Sequence, residues 1–96
     1  MLNKEKILEI IYKNILDIDD EDVVIAFNKC DNKKDFPLIG SKTLLDSMDL
    51  VTLIISVEAD INKINTSIKL ASDDAMAERS SPFRSPQTIA DYITKQ

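Results

Sequence analysis

The sequence predicts an all-α domain, a bundle of three longer helices and one short one with a long loop after the first, and it does so on three grounds. Apolar residues recur at spacings of three and four near the start, middle and end of the chain, the stripe that an amphipathic helix turns toward a core. Residues suited to helix caps stand where those stripes begin. No segment alternates apolar and polar residues over a length that would argue for a sheet. A chain of 96 residues is expected to form a single domain, 1–96, that buries roughly two thirds of the surface its unfolded form exposes.

Residues 4–16, KEKILEIIYKNIL, place Ile7, Leu8, Ile11, Ile15 and Leu16 on one stripe and predict the first helix. The acidic run DIDDED, 17–22, breaks the pattern. A calcium loop opening at Asp17 would need Gly at its sixth position and Glu at its twelfth. Asp22 and Asn28 stand there, so the run reads as a solvated loop or helix cap and no metal site is expected. VVIAF, 23–27, suits a strand or one or two buried helical turns, and periodicity leaves both open. Residues 28–42, NKCDNKKDFPLIGSK, contain Gly40, the single glycine, with Pro37 and many polar residues, and read as loop. A structureless connection of about thirty residues is unusual in a small domain, so VVIAF is expected to pack down as a short element.

From Ser47 to about Lys63 the pattern is strongly helical, with Leu50, Val51, Leu53, Ile54, Val57 and Ile61 covering more than one face. Ser72 ahead of DDAMAE predicts an N-cap and a short helix from about Asp73 to Arg79. Ser85-Pro86 opens the last helix, with serine as cap and proline at the first helical position. Ile89, Tyr92 and Ile93 supply its buried stripe.

Composition narrows the function. With 44% hydrophobic and 30% charged residues the chain has the make-up of a soluble globular protein. Its net charge of −5 argues against binding phosphate backbones, which rests on Lys and Arg. An acidic surface instead favours basic patches on partner proteins. Cys30, the single cysteine, has no second cysteine to pair with in the chain and no histidine to share a zinc ion with, so a free thiol in a loop or at a core edge is expected. Lys4, Glu5, Lys6 and Glu9 interrupt the continuous apolar run that a signal peptide needs. No stretch reaches transmembrane length. A cytoplasmic monomer is the expectation, and Asn65-Thr66-Ser67 is not read as a glycosylation site.

The stretch TLLDSMDL, 43–50, raises a question of its own. Asp46, Ser47 and Asp49 stand where loop gives way to the central helix. Asp or Ser there can cap unpaired amides, and an acid in the first turn gains about 0.3–1 kcal/mol from the helix dipole. Capping alone accounts for the polar residue types. It leaves apolar Leu44, Leu45 and Met48 around so polar a turn to be explained by packing. A nucleophilic serine needs an adjacent base, and the chain has no histidine. Asp46 and Asp49, three residues apart at a helix start, read as solvated carboxylates rather than an acid/base pair. The sequence therefore predicts no catalytic residues and no enzyme. One use of the serine needs no activation from this chain: it can accept a phosphate-linked group from another enzyme, at a helix N-terminus whose amides and dipole suit a phosphodiester.

Leu44-Leu45-Asp46-Ser47-Met48-Asp49-Leu50-Val51 resembles the D-S-L-D signature of acyl carrier proteins, and Thr88-Ile89-Ala90-Asp91-Tyr92-Ile93 is similar to that family's last helix. The resemblance implies a small acidic four-helix bundle of acyl-carrier type. It implies that Ser47 carries 4'-phosphopantetheine, added from coenzyme A by a phosphopantetheinyl transferase, and that the arm's thiol holds an acyl group as a thioester. The implied partners are that transferase, an acyl- or aminoacyl-loading ligase, and an acyltransferase or synthase of lipid, fatty acid or specialised biosynthesis. Asp46 and Asp49 match the acids that flank the family's serine, and Met48 matches its hydrophobic contact residue. Glu58 and Asp60 match positions on or near its acidic recognition helix.

The departures point to a specialised, freestanding carrier. Thr52 stands where fatty-acid-type carriers usually have an acid, Leu45 replaces a common glycine, and the approach to the signature is longer than usual. LLDSM is also similar to D-alanyl carrier proteins, an aminoacyl alternative. From a different class, an acidic helical interaction domain without a prosthetic group is the rival reading.

Overall fold

Helix α1, Lys4–Leu16, starts where the periodicity places it, because Asn3 caps it: the Asn3 side chain accepts a hydrogen bond from the Lys6 amide at 2.8 Å. Ile7, Leu8, Ile11 and Ile15 are buried along one side. Each such side chain taken from water stabilises the fold by about 1.5–3 kcal/mol. Leu16, expected on the same stripe, is 42% exposed. It follows Ile15 by one residue, about 100° further round the helix, where the buried face ends. The computed structural model describes residues 3–38, 44–64 and 83–94. The expected short helix at 73–79, Gly40 and Asn65-Thr66-Ser67 lie outside the described residues.

The segment after α1 is more ordered than a long loop. Helix α2, Glu21–Lys29, forms from the end of the acidic run and the whole of VVIAF, which settles the choice between strand and helix. Asp20 is its cap, accepting from the amides of Asp22 at 3.0 Å and Val23 at 3.4 Å. Glu21 and Asp22 follow in the first turn, where the dipole favours acids. Val23 and Phe27, four residues apart, are the buried face. A 3₁₀ turn, Lys33–Asp35, then leads to buried Phe36 and Leu38.

Helix α3, Ser47–Asn62, is the long central element, and helix α4, Pro86–Thr94, closes the described chain. Pro86 takes the first helical position and Ser85 caps reciprocally with Thr88: each side-chain oxygen accepts from the other's amide, at 3.4 and 3.0 Å. That is the logic of a capping box with threonine in the reaching role. Ile89, Ala90 and Ile93 are buried, with Tyr92 packed at the edge of the core.

Helix α1 is the hub: it packs against α2, α3 and α4, and α4 also meets the 3₁₀ turn. Their apolar faces share one core of Ile7, Ile11, Ile15, Val23, Phe27, Leu38, Leu53, Val57, Ile61, Ile89 and Ile93, among others. The Leu38 amide donates to the Arg84 carbonyl at 2.9 Å, tying the end of the α2 segment to the approach to α4. The described residues are thus an all-helical bundle with four α-helices and no strand. None of its helices is long and apolar enough to cross a membrane.

Candidate functional site

Asp46 ends the connecting segment in an extended conformation, φ −86° and ψ 179°. Its side chain turns back to accept from the Asp49 amide at 2.8 Å, while its carbonyl accepts from the Leu50 amide at 3.0 Å. Both are the bonds of an N-cap. Asp46 is therefore the cap, and Ser47 is the first residue inside α3. The capping role that could account for the serine is filled by its neighbour.

The apolar residues around this turn divide. Leu45 is buried in the core, which fixes where the chain enters α3, whereas Leu44 is 52% exposed and Met48 is 72% exposed. Packing thus explains Leu45 and leaves Leu44 and Met48 as apolar side chains in water. Further along the helix Leu53, Ile54, Val57 and Ile61 face the core, and Met48, Val51 and Ile55 lie on the opposite side, all exposed. At about 100° per residue those three fall within one narrow stripe. The apolar residues of α3 thus cover more than one face, as the sequence predicts, with Val51 on the exposed one.

The acids matched by the resemblance take different positions. Asp46 is exposed with one oxygen engaged in the cap, and Asp49 and Glu58 are half-buried. Asp60 is drawn into the seam with α1. Its Oδ2 accepts from Asn14 Nδ2 at 2.9 Å and its Oδ1 meets Lys63 Nζ at 3.4 Å. The hydrogen bond from Asn14 holds the Asp60 carboxyl below its ordinary range, against the opposing effect of burial, with Lys63 and the charge of Lys13 adding to the shift. Asp60 is thus a structural acid of the α1–α3 seam. Its partner Asn14, 8% exposed, was not singled out from sequence. The signal was present, since Asn14 stands seven residues after Ile7 and three after Ile11, on the buried stripe.

Cys30 is a free thiol at the end of α2, packed at the core edge as expected, with Sγ 3.3 Å from the Asn32 carbonyl. Among the described residues no cluster of His, Cys, Asp and Glu has the make-up of a metal site. The Ser47 turn is therefore a capped helix start with apolar side chains presented beside it. In comparisons with protein-family models, curated proteins and solved structures, none matches this chain.

Proposed function

We propose that the protein is a carrier whose Ser47 is the attachment point for 4'-phosphopantetheine, serving a loading ligase and an acyltransferase or synthase of lipid or specialised biosynthesis. The observation that carries this reading is that Asp46, not Ser47, caps α3. Ser47 directly follows a working cap, with exposed Leu44 and Met48 close by in the chain, so capping does not account for a serine at this position.

The residues around Ser47 fit such a group. Buried Leu45 anchors the turn from inside. Asp46 holds the first turn of α3 by its bond to the Asp49 amide, which fixes where Ser47 enters the helix. The start of α3 offers the N-terminal end of the dipole to a phosphodiester. Leu44 and Met48 offer apolar contact to the enzyme that modifies Ser47. When attached, the arm's terminal thiol supplies the linkage that carries an acyl or aminoacyl cargo. The chain itself supplies no acid or base in this reading: the Ser47 hydroxyl oxygen attacks the phosphorus of coenzyme A, the nucleotide half leaves, and Ser47 is a substrate rather than a catalyst.

The exposed stripe Met48, Val51 and Ile55 equally suits the rival, a helical interaction domain with no prosthetic group, so the deciding experiment turns on Ser47. Intact-protein mass is measured after incubation with coenzyme A, magnesium and a promiscuous phosphopantetheinyl transferase. The expected result is a gain of one phosphopantetheine in the wild type and none in Ser47→Ala. A folded wild type that gains nothing with several such transferases overturns the carrier reading in favour of the interaction domain.

A further inference from the structure

A second surface lies toward the other end of α3, about 20 Å along the helix from Ser47 at 1.5 Å per residue. There α1 and the end of α3 enclose an open groove of about 380 Å³ lined by Lys6, Glu9, Ile10, Lys13, Asp60, Lys63 and Ile64. Three lysines meet here on a chain of net charge −5. The two carboxylates in the lining do not cancel them equally. Asp60 is already engaged by Asn14 and Lys63. Lys6 and Lys13 are exposed and form no ion pair among the described residues, though the Lys13 charge acts on Asp60; Glu9 has no ion pair among them either, so the lining carries one net positive charge. The apolar part of the lining is Ile10, half-buried, and Ile64, 49% exposed, with Glu9 beside Ile10 on the same turn of α1.

The spacing gives this surface a register. Lys6 and Lys13 are seven residues apart on α1, two helical turns or about 10 Å, with Ile10 between them. A helix laid along the groove meets the same spacing with an acidic residue at each end and an apolar one between. We propose that this groove is a docking site for an acidic amphipathic helix of a partner protein, with carboxylates seven residues apart on Lys6 and Lys13 and an apolar side chain on Ile10 and Ile64. This is the helix-in-groove mode, in which apolar anchors supply affinity and flanking charges set register. The inference is independent of the carrier reading, since it uses no residue of the Ser47 turn.

The test is an amide-shift titration of the full-length chain with a synthetic helical peptide of about 18 residues, carrying Glu at seven-residue spacing around Leu. The expected result is shifts confined to residues 6–13 and 60–64 and affinity that weakens as salt rises. Lys6→Glu/Lys13→Glu, two exposed changes, should weaken binding at least about tenfold, because attraction becomes like-charge repulsion at both ends. A peptide with Lys in place of Glu should not bind. The proposal is overturned if the Glu peptide causes no shifts, if its shifts fall on Met48–Ile55, or if the Lys peptide binds as well. It is also overturned if vesicles of phosphatidylglycerol shift the groove residues while the Glu peptide does not.

Discussion

Asn14 shows how one polar residue can tie two helices. Its amide nitrogen donates to the Ile10 carbonyl and to Asp60 Oδ2, both at 2.9 Å. A hydrogen bond to a charged group contributes about 1.5–3 kcal/mol, more than a neutral one, and it links α1 to α3 across 46 residues of sequence. Asn14→Ala should therefore destabilise the protein by about 1–3 kcal/mol at neutral pH, read from the urea midpoint. The pH dependence has a definite sign. Asp60 is held below its ordinary range in the folded state, so its contribution is full above the unfolded carboxylate value and is lost as pH falls through the folded one. Because Asn14 is the main cause of that shift, the gap between wild type and Asn14→Ala should narrow as the pH drops from neutral to about 3. A gap that stays constant would show that Asn14 acts through packing alone.

At the scale of elements, the caps explain why each helix starts where it does. Asn3, Asp20, Asp46 and Ser85 each accept from an amide two or three residues on. Asp46→Ala removes the cap of α3 and should cost about 0.5–2 kcal/mol in thermal or urea melts. If Ser47 is modified as proposed, the same change should also slow that modification, because the first turn of α3 loses its lock. Asp46→Asn keeps an accepting oxygen and should recover most of the stability. If the asparagine restores both stability and rate, Asp46 acts by positioning rather than by charge. The stripes of α1, α3 and α4 and the Ser85-Pro86 start were legible in the sequence, because period and cap residues agree there. VVIAF was not, since five apolar residues fit either period and only the packing of Val23 and Phe27 against α1 decides. In the Ser47 turn the acids were legible by type, but their roles were not. Which of Asp46 and Ser47 caps depends on backbone angles, and Asp60 leaves the solvent face because a residue 46 positions away bonds it.

On the scale of the whole molecule, the segment between α1 and α3 is part of the core rather than an ornament on it. Phe27 is 1% exposed and joins three elements. Its ring lies 5.5 Å from that of Tyr12 on α1 and meets Phe36 edge-on at 5.1 Å, with the Lys33 ammonium 5.6 Å from its centre. Edge-to-face pairs of this kind add about 0.5–1.5 kcal/mol to the area they bury. The ion pair between Lys4 and Asp91 at 2.6 Å also joins distant elements, but both side chains are more than a third exposed, and such pairs contribute about 0–1 kcal/mol. The core therefore depends far more on Phe27 than on this surface bridge. Phe27→Ala should cost about 3–5 kcal/mol, a large part of the roughly 5–15 kcal/mol that holds a domain together. Phe27→Leu refills much of the space without the ring contacts and should fall between the two. If α2 merely rested on a three-helix core, Phe27→Ala would instead loosen residues 17–38 and leave the main melting transition where it was. Hydrogen exchange separates the outcomes: loss of protection in α1 and α4 together with α2 is the mark of one cooperative core, whereas loss in α2 alone marks a separable flap.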